Sequence, residues 1–208
     1  MLLPEFLPSH PGPQAFDFLP AALSFAGGFL TALLAEPLRQ KWFAPRLKLS
    51  FGTSPDFISH TPEAQGVMMG EATYIRVRVS NQSFRIAKAC RAYLTGVFRE
   101  DERAHLIKTQ YCDSIQLSWA VRGEQAYGPQ DLAKGVPYFF DLVSFRDGTD
   151  VFMPHVEGLP FRYQDIFGKR GTYHFDVIVA GDGVKPAKMR VRIAWDGNRK
   201  AIAASHAV

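Results

Sequence analysis

Two patterns of hydrophobic and polar positions divide the chain. The first is an apolar run from Phe18 to Ala35, eighteen residues without a charged side chain. As a helix rising 1.5 Å per residue it would be about 27 Å long, close to the ~30 Å hydrocarbon core of a bilayer. The run therefore predicts one transmembrane helix over residues 18–36, after a Pro-rich leader over residues 1–17.

Three other structures fit this run less well. A secretory signal peptide begins with basic residues, whereas the leader contains Glu5 and Asp17 and neither Lys nor Arg. A soluble amphipathic helix needs a polar face, which the run lacks. A buried core helix needs protein on all sides, and the rest of the chain has the pattern of strands.

The residues after the run predict its orientation. Arg39 and Lys41 follow it, and Trp42 and Phe43 stand where aromatic side chains anchor a helix at the membrane interface. Positive charge beside a span stays on the cytoplasmic side. This juxtamembrane basic segment, residues 37–45, therefore predicts a single-pass protein of the inner (plasma) membrane with its C-terminal domain in the cytoplasm.

Small residues recur at four-residue spacing within the run. Ser24, Gly28 and Ala32 would share one face of a helix, where small side chains let two backbones approach closely. The spacing predicts a helix–helix contact and a homo-oligomer. The alternative is that Gly and Ala are simply frequent in membrane helices.

The second pattern has a period of two. Segments such as "RLKLSF", "TYIRVRVSN" and "KMRVRIAW" alternate apolar and polar residues between Gly, Pro, Asn or Asp. They predict seven or eight strands and no long helix after Pro45. Strands with one apolar face pack as two sheets, so residues 46–198 predict an all-β, immunoglobulin-like antiparallel β-sandwich, with a flexible tail over residues 199–208.

One stretch resembles a known family. In "YIRVRVSNQSFRIAKACRAYL", an alternating strand carrying Val77 and Val79 ends in Asn81, and Ala87 or Ala89 begins the returning strand. This resembles the opening hairpin of bacterial immunoglobulin-like domains of the CARDB type, over residues 74–94. The family's Gly after the Asn is replaced by Gln82. The resemblance implies a sandwich that acts as an interaction or scaffold module, without catalytic residues.

Charge does not select a partner by itself. The net charge of +4 is compatible with an anionic membrane surface or with nucleic acid. A basic stripe would form if two similar strands were neighbours, through Arg76, Arg78, Arg190 and Arg192. No aromatic residue is interleaved on that face, so the pattern favours arginines paired across a sheet over a nucleic-acid site.

Candidate chemistry is sparse. Cys90 and Cys112 have no metal-ligand spacing, and the sequence leaves open whether they pair. His155 follows Asp147 and Asp150, but an Asp-Gly turn beside a histidine is the ordinary explanation of such a pattern. "GDGVKP" lacks the GK[ST] ending of a phosphate loop and predicts a hairpin turn. We predict no metal, no cofactor and no catalytic residue.

Two long apolar connections are the predicted binding elements. They run from Gly52 to Ala72 and from Gly148 to Gly171, and each either folds over the sandwich edge or contacts a partner. Within the second, Phe161, Tyr163 and Phe167 are the predicted aromatic anchors for a protein partner.

Together these features predict a non-catalytic, membrane-anchored interaction or scaffold module, with membrane lipid and a protein as partners. One alternative is a sensor in which a small ligand changes helix–helix packing in the membrane. A membrane-tethered enzyme is the other alternative.

Overall fold

Alternating side chains build the domain, as strand β3 (Met68–Asn81) shows. Ile75, Val77 and Val79 are fully buried, while Arg76 and Arg78 between them lie on the opposite face of the strand. Successive strand residues point to opposite faces, so this sequence can cover a core on one side only. The structure is a computed structural model, and it describes residues 44–65, 68–120, 124–146, 151–167, 169–197 and 203–207.

Thirteen strands are present within those ranges. Besides β3 they are β1 (Leu47–Ser50), β2 (Ile58–Gln65), β4 (Ala87–Glu100), β5 (Leu106–Lys108), β6 (Ile115–Gln116), β7 (Ser118–Trp119), β8 (Gln130–Leu132), β9 (Tyr138–Arg146), β10 (Phe152–Pro154), β11 (Gly171–Asp182), β12 (Ala187–Trp195) and β13 (Ala203–Ala207). The helical pieces are 3₁₀ turns at Glu124–Tyr127 and Phe161–Tyr163 and the one-turn helix α1 (Gln164–Phe167).

The strands form two antiparallel sheets, which confirms the coarser part of the fold prediction. In the first sheet, β1 and β2 pair with one edge of β3, and β9 pairs with its other edge. β7 and β10 both pair with β9. The second sheet has the order β13-β12-β11-β4, with β5, β6 and β8 on the outer edge of β4. All described residues lie in one unit, Phe43–Val208.

Aromatic side chains from both sheets fill the core. Phe145 of β9 packs on Trp195 of β12 with ring centroids 4.8 Å apart, and Phe152 of β10 packs edge-on against Tyr173 of β11 at 4.8 Å. Each ring buried from water contributes roughly 1.5–3 kcal/mol, and edge-to-face pairs add to that. The core is therefore built without a disulfide: Cys90 and Cys112 are both free thiols.

Two segments that the sequence predicts as irregular contain strands. The Gly52–Ala72 connection contains all of β2 and the start of β3, and β13 lies inside the expected flexible tail, paired with β12. Both β2 and β13 are edge strands. Backbone hydrogen bonds to one neighbour hold such strands, so their sequences do not need a strong alternation of apolar and polar residues. An edge position also tolerates Pro62 within β2.

The predicted transmembrane helix, residues 18–36, lies outside the described residues. None of the helices among the described residues combines the length and the apolar composition that a membrane span needs.

Candidate functional site

The segment Phe161–Phe167 folds over an edge of the sandwich. The Phe167 ring stacks on Phe175 of the second sheet, with centroids 6.4 Å apart and planes at 12°, and meets Phe152 of the first sheet edge-on at 5.8 Å. The Tyr173 hydroxyl donates to the carbonyl oxygens of Ile166 (3.0 Å) and Lys169 (2.7 Å). Contacts to both sheets therefore fix this segment in place.

Tyr163 is also held in place, by contacts with Tyr111 and Asp113. Its ring is buried against Tyr111 at 4.8 Å, and its hydroxyl donates to Asp113 Oδ2 at 2.9 Å. The guanidinium of Arg162 binds the same carboxylate oxygen and lies over the Tyr163 ring. Hydrogen bonds from Tyr163 and Arg162 lower the pKa of Asp113, so its charge is present at neutral pH. The Cys112 thiol lies 3.2 Å from the Tyr163 hydroxyl.

Phe161 alone of the three predicted anchors presents its ring to solvent, where it is 84% exposed. Tyr163 and Phe167 point into the core, so the structure brings the three residues into one segment but not onto one surface. The result is a platform in which buried rings and an ion pair position a single exposed aromatic side chain.

The arginines of the predicted basic stripe do not form one surface. β3 and β12 belong to different sheets, so Arg76 and Arg78 are separated from the arginines of β12. Arg76 Nε donates to the buried Asp141 at 2.8 Å. Arg190 binds both carboxylate oxygens of Asp176, at 2.5 and 2.7 Å. Arg76 and Arg190 are therefore paired with acids across their sheets, whereas Arg78 donates to Ser50 Oγ at 3.1 Å.

Two histidines complete these polar clusters. His155 lies 3.5 Å from Asp141 and stacks on Tyr74, while Asp147 and Asp150 lie outside the described residues. Ser118, opposite Asp141 in the sheet, is buried and donates its hydroxyl to the carbonyl oxygen of Trp119 at 3.0 Å. This Ser, His and Asp neighbourhood therefore has no exposed nucleophile.

Glu100 joins the second histidine to an arginine. Arg192 binds both Glu100 oxygens, at 2.9 and 3.2 Å, and His174 Nε2 lies 2.7 Å from the first of them. These bonds, the Arg192 bond foremost, lower the pKa of Glu100 to about 2. An open cleft of about 690 Å³ adjoins Glu100 and is lined by both acidic and basic residues. Within the part of the chain that the structure describes, no three His, Cys, Asp or Glu side chains gather as a metal site.

A second surface lies where the described chain begins. Four segments, residues 44–46, 82–86, 133–137 and 183–186, meet there, and we name this surface the entry end. The Gln82 N–H donates to the Arg46 carbonyl at 2.9 Å, and the Arg46 N–H donates to Ser83 Oγ at 2.8 Å. The Lys185 N–H reaches the Pro45 carbonyl at 3.4 Å. Backbone contacts therefore join segments that are far apart in the sequence.

The buried side chain of Asn81 holds the loop of residues 82–86 in place. It is only 2% exposed, and its Nδ2 donates to the carbonyl oxygens of Arg85 (2.6 Å) and Leu132 (2.9 Å). Its Oδ1 accepts the Ser83 N–H at 2.8 Å. One buried side chain thus closes the β3–β4 turn and ties it to the end of β8.

The outer side of the entry end combines apolar tips with positive charge. Phe84 is 92% exposed, Ile86 and Val136 are also exposed, and the Lys134 ammonium lies 3.3 Å from the centroid of the Phe84 ring. The four segments contain four cationic residues and neither Asp nor Glu: Arg46, Arg85, Lys134 and Lys185. Sequence reasoning missed this surface; its only local signal is a phenylalanine within the polar turn "NQSFRI".

Two groups of predicted site residues lie outside the described residues. They are the membrane anchor, Arg39, Lys41, Trp42 and Phe43, and the helix–helix contact, Ser24, Gly28 and Ala32. No family model matches the chain, and no curated protein matches it.

Proposed function

We propose that this protein is a membrane-anchored, non-catalytic interaction module, with an immunoglobulin-like sandwich on the cytoplasmic side. The observation that carries the interaction role is the platform at Phe161. Its exposed ring stands on a segment that is fixed by Asp113 and by Phe167 in the core. The proposed partner is a protein with an apolar pocket for this ring.

Rigidity is what makes Phe161 a suitable anchor. Binding energy in protein interfaces concentrates in a few aromatic or arginine side chains, and truncation of such a residue typically costs about 2 kcal/mol or more. A side chain whose supporting segment is already ordered loses less entropy on binding. Arg162, beside Phe161, adds a charged group that can select among partners.

The state of the reactive groups supports a non-catalytic role. The Cys90 thiol is buried, and burial raises its pKa to about 11, so it is protonated at neutral pH. The carboxyl groups of Asp113, Glu100, Asp176 and Asp141 are each bound by arginine. These pairs join strands and loops.

Membrane anchoring is supported by the sequence before the domain. The eighteen-residue apolar run and the basic residues that follow it are the features of a single span with its C-terminal side in the cytoplasm. The described domain begins at residue 44, shortly after that run.

A topology measurement tests the anchoring. Reporters fused at the N-terminus and after Val208 of the full chain should report opposite sides, with the C-terminal reporter in the cytoplasm. A chain that alkaline carbonate removes from membranes would contradict the anchor. A C-terminal reporter on the far side would contradict the orientation.

A matched pair of variants tests the platform. A photo-crosslinking residue at position 161 of the membrane-bound chain should give a discrete adduct with a protein other than itself. The same residue at Ile107, which is also exposed, is the control and should not give that adduct. Equal adducts at both positions, or none at position 161, would refute Phe161 as the anchor.

A further inference from the structure

We propose that the entry end docks on anionic lipid headgroups and places Phe84 in the interfacial layer of the bilayer. This inference rests on the proposed membrane anchoring and identifies a second, lipid partner of the domain. The observations behind it are the position of the surface along the chain, its charge, its apolar tips and the fixed conformation of its main loop.

One segment of the entry end, residues 44–46, lies close in sequence to the apolar run. Nine residue steps separate Ala35, at the end of the apolar run, from residue 44, and an extended chain covers at most about 3.6 Å per step, or roughly 30 Å in total. The length of the connection therefore limits the distance between the entry end and the end of the apolar run to roughly 30 Å. Strand β4, fourteen residues long, carries the opposite end of the second sheet roughly 45 Å further along its own direction.

Charge at this end suits an anionic surface. Each Lys or Arg close to a membrane that contains anionic lipid contributes about 1 kcal/mol of attraction, within a Debye length of about 8–10 Å. The nearest acidic residues flank the four segments. Asp131 accepts the Ala89 N–H at 2.9 Å, and Asp182 lies opposite Lys88 in the β4–β11 pairing. The four loops themselves contain these cations and neither Asp nor Glu.

The apolar side chains favour lipid over nucleic acid. Phe84 is accompanied by Ile86 and Val136, which are aliphatic and exposed, and no second aromatic residue occurs in the four segments. Nucleic-acid surfaces stack successive bases on several aromatic rings. An apolar tip beside a lysine matches the membrane interface, where the ring enters the acyl boundary and the ammonium stays with the headgroups.

The loop that carries Phe84 needs little ordering on docking. The three hydrogen bonds of Asn81 already fix the turn around Ser83 and Arg85. A loop prepared in this way loses less conformational entropy at the surface than a mobile one. A tethered domain with this end toward the bilayer would present the Phe161 side elsewhere, available to a protein partner.

Thiol modification of the full chain in nanodiscs tests the docking. The probe is Val136→Cys in a Cys112→Ser background, since Cys90 is buried and protonated. An uncharged maleimide should modify the probe more slowly in discs containing phosphatidylglycerol than in discs of phosphatidylcholine alone. The unmutated chain in separate discs supplies the distal control, because its exposed Cys112 should react equally in both lipids.

Removal of one contact between the entry end and the lipid should make maleimide modification of the probe cysteine faster again. Lys134→Gln should raise the rate in anionic discs by about fivefold, the factor that corresponds to about 1 kcal/mol. Phe84→Ser should also raise it, and Ile107→Ser, an exposed apolar residue outside the entry end, should leave it unchanged. Raising the ionic strength should shorten the Debye length and reduce the protection.

The outcomes separate this inference from the proposed function. A chain that resides in the discs but shows equal rates in both lipids would overturn the docking and leave the anchoring intact. A chain that does not enter the discs would refute both. Protection by a single-stranded oligonucleotide in neutral discs, without protection by phosphatidylglycerol, would assign the cations to nucleic acid and overturn the lipid assignment.

Discussion

Asn81 offers the sharpest test of how the fold builds the entry end. Its side chain makes three hydrogen bonds while almost completely buried: two donated to the carbonyls of Arg85 and Leu132, and one accepted from the Ser83 N–H. Asn81→Ala removes all three at once. Because the residue ends β3 and points inward between two loops, water cannot easily replace the lost partners.

The expected loss of stability follows from those bonds. Each contributes about 1 kcal/mol net, and a buried carbonyl left without a donor costs about 1–3 kcal/mol, so Asn81→Ala should lower the free energy of unfolding by about 3 kcal/mol. Asn81→Asp has the same shape but loses both donors and brings a carboxylate against two carbonyl oxygens. It should cost more than the alanine variant at neutral pH.

Urea unfolding of the full chain in mild detergent, followed by the fluorescence of the buried Trp119 and Trp195, measures this effect. Ser80→Ala is the matched control on the same strand. Its hydroxyl donates to the Lys48 carbonyl at 3.4 Å and accepts from Gln82 Nε2 at 3.0 Å. Both bonds are exposed, so water can replace them and their loss should cost less than about 0.5 kcal/mol.

The reasoning fails if Asn81→Ala and Ser80→Ala have the same midpoint within error. It also fails if Asn81→Asp is as stable as wild type at pH 7, because a carboxylate cannot donate to either carbonyl. A reduced slope against urea would mean that the variant changed the unfolded or native ensemble instead.

Three further outcomes are expected. A fragment of residues 44–207 should give a β-type circular dichroism spectrum, and a helical spectrum would contradict the fold. The pKa of Glu100 is lowered to about 2 from 4.5, so its ion pair stabilises the fold above pH 4.5 and the benefit is lost as pH falls toward 2. Glu100→Gln should therefore cost on the order of 1–2 kcal/mol at pH 6, allowing for solvent screening, and almost nothing at pH 2, as urea titrations at both pH values would show. Gly181→Ala should destabilise by about 1–3 kcal/mol, because its Cβ would lie 2.5 Å from the Lys88 carbonyl oxygen. Gly183→Ala, at φ +62° with open space, should cost only about 1 kcal/mol of backbone strain in the same assay.

The strands that sequence could predict are those whose two faces meet different surroundings. β3, β11 and β12 each bury one face and leave polar residues on the other, so apolar and polar residues alternate in their sequences. Edge strands such as β2 and β13 are held mainly by backbone bonds to one neighbour. Their side chains carry little of the pattern, and the hairpin and the terminal strand were therefore not predicted.

The segment Phe161–Phe167 depends on contacts that are distant in the sequence. The sequence predicts its aromatic residues as binding anchors, but which of them faces solvent depends on Asp113, about fifty residues earlier, and on Phe175 of the other sheet. Periodicity carries no information about such contacts, because they are set by how the loop crosses the sandwich edge. The sequence alone is compatible with several arrangements of these aromatic side chains, and an exposed Phe161 is only one of them.

The entry end explains how a modest net charge can have a local effect. The chain carries only +4 overall, and the sheet arginines Arg76, Arg190 and Arg192 are each matched by a carboxylate. The antiparallel order of β1, β3, β4, β9, β11 and β12 brings four chain-distant loops to the same end, and each contributes one cation without an acid. A charged surface responds to charge within a Debye length, not to the sum over the chain. The topology therefore gathers positive charge at one end of the domain, which the composition of the whole chain does not reveal.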